Sequence, residues 1–393
     1  MPDHGDVQRV ADAAGLPAAG WNDLLSAEDF FQTPRWLAVQ ERNGGTTLDF
    51  LIRRRAGRPV AGLVAAWADE RVPWLLARPD TLLANACDED LTGARRLRKT
   101  LAGEEADLAS TLLPSLVLGG RHLGRTRMLT TPSATRQDLH TLLEHAEGLA
   151  TQRGAATVCF PHVDVRDTWL IDVLEERGYD WHTSEHYCWL PIPPGGFDEY
   201  LADMTQHRRR RVRLERRALA AAGVEVRLEP LTTALAPRLG QLDANLLAKY
   251  GNPADPEHSA GLLAWIAEVM GDDAMVSLAR MDGEIIGFGL VLRSTARGEQ
   301  QWFGHRAGFD YAAKGKLPLY YEVLYYRVLE AAAEQGATVL HAGVGSTAAK
   351  LARGCLSSEQ RSYLLPLPHS TSTLTVPSPR AHAESRSTRE VTP

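Results

Sequence analysis

Apolar positions along this chain recur with period two in some stretches and with a period near 3.6 in others, and each change of period marks an element boundary. TPRWLAVQER over 33–42 predicts a helix with Thr33 as N-cap and Pro34 in its first turn, ended by Asn43-Gly44-Gly45. LDFLIRRRAGRPVAGLVAAW then predicts a hairpin turning at Ala56-Gly57-Arg58, and VPWLLA opens a further apolar run. The polar, mixed-charge stretch 84–108 predicts an excursion carrying a short helix. A strand LPSLVLGG, a helix over 136–152 closed by Arg153-Gly154, a strand ATVCFPHV, a helix near 168–177 and a strand YCWLPIP follow.

The same series is then written again. A helix over 198–222 and the strand VEVRLEP lead into two helices, LAPRLGQLDANLLAKY and EHSAGLLAWIAEVM, and a hairpin AMVSLARMDGEIIGFGLVLRS turning at Asp282-Gly283. The strand QQWFGH, a helix over 318–335 stopped by Gly336, the strand TVLHAG, a short helix in AAKLAR and a last strand QRSYLLPL close it. Two copies of helix, hairpin, strand, helix, strand, helix, strand predict an α/β protein of two similar domains, each a mixed twisted sheet flanked by helices. The expected divisions are a flexible segment over 1–20, domains over 21–190 and 191–368, and a disordered tail over 369–393, which is rich in Ser, Thr and Pro.

Length and composition agree with this picture: 393 residues leave room for two domains, and 44% hydrophobic with 23% charged residues is the make-up of a globular protein. No run reaches the roughly 20 apolar residues that span a bilayer, and MPDHGDVQR lacks the layout of a secretory signal, so a cytoplasmic protein without a membrane span is expected. Cys87, Cys159, Cys188 and Cys355 stand far apart and read as reduced thiols. His182, His186 and Cys188 fall on one face of a strand, but same-face neighbours on a strand fan outward, so no metal site is expected. Charge changes the picture more. Residues 207–217 hold seven arginines and one glutamate, a local +6 within a net charge of −6, which leaves −12 for the remainder. General DNA binding is excluded, while one strong anion site is predicted.

Three constellations carry candidate chemistry. On the arginine-rich helix Arg209, Arg213 and Arg216 share a side, and Arg208, Arg211 and Arg217 spread around the rest. Guanidinium forks grip phosphates bidentately, although a solvated face is the competing reading. In HAGVGSTAAKLARG, Gly343 and Gly345 allow close backbone approach, a helix start near Ser346 offers N–H groups, and Lys350 lies about one turn further on. Candidate proton acceptors are Glu322 within YYEVLYY, His305 and His341, with Tyr320, Tyr321, Tyr325 and Tyr326 surrounding Glu322 as core or as substrate contacts. A fourth segment is informative for what it lacks. AGFDYAAKGKLPLYY, before the long helix, has one usable glycine, Gly315, a proline, Pro318, without an N–H, and Lys314 and Lys316. That is a weak cradle for a pyrophosphate.

HRRRRVRLERRALAAAGVEVRLEP and PLYYEVLYYRVLEAAAEQGATVLHAGVGSTAAKLARG together resemble the Fem-type peptidoglycan-bridge aminoacyltransferases and their FemAB-like relatives, over about Phe30 to Leu367. The resemblance implies two fused acyltransferase domains of the GNAT class, and transfer of an acyl group to an amine. By the family pattern Arg209, Arg213 and Arg216 fall at recurring basic positions and Lys350, within Lys-x-x-Arg-Gly, falls where the donor's reacting end meets the acceptor. Arg353 belongs to the same element, and Cys355 replaces the usual aromatic after it. The expected function is therefore an aminoacyl-tRNA-dependent aminoacyltransferase forming an amide on a small metabolite amine or a peptidoglycan precursor, with no cofactor beyond the co-substrate. Lys350 and Glu322 are the expected catalytic residues, and Arg209, Arg213, Arg216, Tyr321, Tyr325, His305, Gly343, Gly345 and Arg353 the expected binding residues. The alternatives are an acyl-CoA-dependent N-acyltransferase and a non-catalytic RNA- or nucleotide-binding relative.

Overall fold

Two tight turns set the frame. Ala56 and Gly57 have φ of 50° and 77°, and Asp282 and Gly283 have φ of 53° and 84°, so both predicted hairpins close through two successive left-handed residues. That turn matches the right-handed twist of the strands it joins. The computed structural model describes residues 7–72, 77–103, 107–120, 125–252 and 254–368. The expected tail and most of the run VPWLLA lie outside them.

In the first copy the strands are β1 (Val7–Val10), β2 (Leu48–Arg55), β3 (Arg58–Ala68), β4 (Ser115–Leu118), the two-residue β5 (Leu129–Thr130), β6 (Thr157–Asp164) and β7 (Asp180–Pro191). In the second they are β8 (Glu225–Pro230), β9 (Ala274–Met281), β10 (Glu284–Ser294), β11 (Gln301–Phe309), β12 (Val339–Gly343) and β13 (Leu356–Pro366). They join one sheet in the order β1-β2-β3-β4-β6-β13-β7-β12-β11-β10-β9-β8, with β5 beside β3. Among the strands of the described residues only β4 with β6 and β11 with β12 run parallel. The order reads the same from either edge once the copies are interchanged. Each copy's last strand has crossed over: β13 lies beside β6 of the first copy, and β7 beside β12 of the second.

One face of the sheet carries helix Pro34–Asn43 with helices Ala236–Lys249 and Pro256–Met270, and the cores beneath them share that first helix. The other carries Arg136–Gln152 and Thr168–Glu176 over the first copy, and Gln206–Ala221 with the helix over 319–334 over the second. Arg35 links the copies by donating to Asp273 Oδ2 (2.7 Å) and to the end carbonyls Val269 and Met270 of Pro256–Met270. No helix among the described residues is long and apolar enough to cross a membrane.

The structure departs from the sequence expectation in four places. Residues 7–20 are not a flexible lead: β1 pairs with β2, and Ala13, Leu16 and Ala19 are buried because their apolar side chains complete the core around Trp21. The excursion holds helices Pro79–Asp88, Ala94–Leu101 and Leu108–Leu112 rather than one. The helix expected over 198–222 breaks into Gly196–Asp203 and Gln206–Ala221, since Thr205 caps the second by accepting from the Arg208 amide. The helix over 319–334 contains a π-turn, Glu322–Tyr326, pressed onto the sheet: a Cβ at Gly289 would stand 2.5 Å from the Val323 carbonyl oxygen.

Glycine at 289 is therefore a packing requirement. Gly289→Val should lower unfolding stability by about 3 kcal/mol through overpacking. Gly261→Ala, where an added Cβ on helix Pro256–Met270 meets nothing within 4 Å, should leave stability unchanged or raise it by up to about 1 kcal/mol. Denaturant titration of the two variants checks the contrast.

Candidate active site

In each copy the parallel pair is bonded over three residues only, and beyond these the ladder opens. In the first copy β4 and β6 pair only over Ser115–Val117 and Thr157–Cys159. The gap beyond is filled from within: Gln32 Nε2 donates to the Gly119 carbonyl (2.5 Å), and buried Thr126 bridges to Val163 with its methyl against Gly119. In the second copy β11 and β12 pair only over Gln301–Phe303 and Val339–His341. Beyond them lie a bulge in β11 at His305 and the loop Gly343–Ser346.

Lys350 shapes that loop. Its ammonium is buried and donates to the carbonyls of Gly343 (2.9 Å) and Val344 (2.7 Å). Burial holds its pKa below the ordinary lysine value. Gly343, Gly345 and Ser346 have φ of 69°, 76° and 50°, left-handed backbone that glycine adopts without strain. Because a trans peptide points its N–H opposite its carbonyl, the pull of Lys350 turns the N–H groups of Val344 and Gly345 to the other side. The Lys350 ammonium is thus committed to the carbonyls of its own loop, where the sequence reading had it touch the donor directly.

The arginine helix divides into two groups. Arg216 donates from Nε and Nη2 to Glu322 (3.0 and 2.9 Å), also pairs with Glu330, and lies 4.3 Å over Phe197. This is a clip between two helices, and it leaves Arg216 no open fork for phosphate. Glu215, also buried, accepts from Arg211 (2.8 Å), Tyr326 (3.0 Å) and Arg353 (3.3 Å), and Arg353 lies 3.7 Å over the Tyr321 ring. Arg353, Tyr321 and buried Tyr325 belong to this packed layer. Arg208, Arg210, Arg213 and Arg217 point to solvent, and Arg209, half-buried, donates to the Met204 carbonyl (3.4 Å).

None of the three expected proton acceptors stands ready. Glu322 is raised by burial, against Arg216, but both its oxygens are held in the bidentate pair. His305 packs edge-on against Trp36, and burial with Arg306 nearby pushes it down to about 3. His341 accepts from Tyr187 Oη at Nδ1 (2.8 Å), donates from Nε2 to Gln301 (2.9 Å), stacks on Phe303, and is pushed down to about 3 by burial. Sequence reasoning missed the residues that fill the first opening, Gln32 and Thr126, and a charged cluster near the second, Glu28, Arg125, Asp164 and Arg166. They lie far apart in the chain and form no motif.

The segment expected to be a weak pyrophosphate cradle is partly filled from within. The amides of Leu317 and Leu319 bond to Lys314 and Leu317 carbonyls (2.9 Å each), and Lys314 Nζ donates to the Leu317 carbonyl (2.9 Å). In the first copy the start of helix Arg136–Gln152 is occupied by its own capping box, Thr135 with Asp138, and the Asp138 carboxylate pairs with Arg53 and Arg55.

Residues 123–371 match the FemAB-like family, described as peptidoglycan biosynthesis/recognition. No curated protein matches the sequence. Among solved structures, FemX superposes with a TM-score of 0.56 at 13% identity, over 87% of this chain and 96% of that one. A tandem GNAT protein from the clavulanic acid biosynthesis pathway, solved without AcCoA, gives 0.54 at 16% identity over 92% and 98%. The C-terminal domain of a putative lysylphosphatidylglycerol synthetase from Agrobacterium fabrum gives 0.50 at 11% identity over 90% and 92%. The fold is that of tandem GNAT domains, as the duplicated element order predicts.

The buried histidine makes a pH prediction. The unfolded chain protonates near 6.5 and folded His341 only near 3, so the stability present above pH 6.5 is lost as pH falls. Between pH 7 and 5 this residue should account for about 2 kcal/mol. His341→Asn should flatten the fall in unfolding free energy over that interval, as measured by urea titration at each pH.

Proposed function

The chain belongs to the FemAB-like family, and on that footing we propose that it is an acyltransferase that moves an aminoacyl group from aminoacyl-tRNA to an amine where β11 and β12 part. The observation that carries the donor assignment is that the cradle is partly filled by its own loop. An acyl-CoA transferase needs N–H groups free for the pyrophosphate at the start of the long helix, and here the Leu317 and Leu319 amides and Lys314 are bonded within the loop. The exposed arginines, Arg208, Arg210, Arg213 and Arg217, suit a phosphodiester backbone, which offers several anions at intervals.

In this reading the acceptor nitrogen attacks the ester carbonyl carbon, the carbonyl oxygen takes up the negative charge, and the ester C–O bond breaks to leave a free ribose hydroxyl. The N–H groups of Val344 and Gly345, turned outward by Lys350, stabilise the oxyanion. With Glu322, His305 and His341 all otherwise engaged, the amine proton passes to the leaving ribose oxygen, directly or through water. The acceptor is a small metabolite amine or a peptidoglycan precursor. In the alternative reading the donor is an acyl-CoA and the loop must open before it binds.

Two expectations follow. Binding to tRNA should weaken steeply with salt, and Arg210→Glu with Arg213→Glu should cut it by about a further tenfold or more with the melting temperature unchanged. Filter binding across a salt series reads both, and tight CoA binding by calorimetry with salt-independent tRNA binding would contradict the donor assignment. Lys350→Met should lower turnover by about tenfold to a thousandfold. Because it leaves two carbonyls without their donor, it should also cost about 1–3 kcal/mol of stability.

A further inference from the structure

Arg166 is fixed between the end of β6 and the Trp189 ring of β7, with about half of its side chain still exposed. Its Nε and Nη2 donate to the carboxylate of Asp164, two residues away (2.9 and 2.6 Å), and its guanidinium lies 4.4 Å over the Trp189 ring. Asp164 is itself fixed: its side chain is 4% exposed, it accepts from Ser358 Oγ on β13 (2.7 Å), and Arg125 stands 3.5 Å from its other oxygen. Arg166 nevertheless keeps 48% of its side chain exposed, and Nη1 is uncommitted among the described residues. An ion pair between residues 164 and 166 ties no two elements together. Its effect is to fix one face of a guanidinium and present the other.

The location is informative. Trp189 faces His341 across β7 and β12, and His341 is the last residue of β12 that pairs with β11 before the splay. Two strand spacings, about 10 Å, thus separate the Arg166 platform from the open edge of β11. Tyr187 stacks on Trp189 and bonds His341, which stacks on Phe303, so the platform lies on the face that carries helices Pro34–Asn43 and Pro256–Met270. The arginine helix and the helix over 319–334 lie on the other face. A donor on that side and a ligand on the Arg166 side would meet through the splay.

We propose that Arg166, backed by Asp164 and Trp189, binds an anionic group, a carboxylate or a phosphate, carried by the acceptor about 10 Å from its reacting amine. A guanidinium already fixed by a carboxylate and a ring loses little side-chain freedom on binding, and its remaining N–H groups suit either anion. Naming the ligand as the acceptor rests on the transfer reading above; the anion site itself does not.

Isothermal titration of the intact protein with N-acetylglycine, inorganic phosphate and neutral N-acetylglycinamide tests the site without any donor. One of the two anions should bind in the millimolar range and the amide should not, and the preferred anion identifies carboxylate or phosphate. Arg166→Gln should weaken that anion at least tenfold, Trp189→Phe, which keeps a ring, by no more than about threefold, and Trp189→Ala by more. Absence of anion binding to the wild-type protein, or binding that persists in Arg166→Gln and so belongs to the arginine helix, would overturn the proposal. A failure of tRNA-dependent transfer would leave the titration unchanged, so the two readings fail separately.

Discussion

Everything at the centre of this molecule depends on the crossing of two strands. β7 ends the first copy, yet nine of its residue pairs are with β13, and its other edge is bonded to β12. β13 in turn leaves the Lys350 turn of the second copy and inserts beside β6 of the first. Neither copy's sheet is complete without a strand from the other, so the two cannot open as independent bodies without breaking backbone ladders. The loop that Lys350 holds and the carboxylate that orients Arg166 are joined through one strand: Cys355 follows the turn, and Ser358 reaches Asp164 three residues later.

Symmetry of architecture does not extend to chemistry. Both copies have a parallel pair that splays, but Gln32 and Thr126 close the first opening, whereas Gly304 and the bulge at His305 border the second. The functional reading accordingly rests on one opening, approached from two faces.

The sequence was legible where the determinants are local. Both left-handed turns, the Thr33 cap, the helix over 136–152 and the duplicated order were readable because each is set by residues within a few positions of one another. The π-turn was not, since it follows from the absence of a Cβ at Gly289 on another element. The strand exchange was not, because β7 and β13 have ordinary strand patterns and only pairing distinguishes them. Among the candidate site residues, Lys350 lies against the loop of Gly343 and Gly345, neighbours in the chain whose proximity the sequence already implies. Arg216 and Glu322 were singled out as separate functional groups, while the structure makes them partners of each other: a basic run and a buried acid read along the chain do not reveal that they satisfy one another across two helices. Arg166 left only the local pattern Asp-x-Arg after a strand, too common to notice.

The central claim is that the open splay carries out acyl transfer from a nucleic-acid donor. Its most direct test is to incubate the purified protein with charged total tRNA or with acetyl-CoA, each with an amine acceptor pool, and to measure amide product by mass spectrometry. Amide formation with charged tRNA, lost in Lys350→Met, and none with acetyl-CoA is the result this account predicts. Amide formation with acetyl-CoA alone would contradict it.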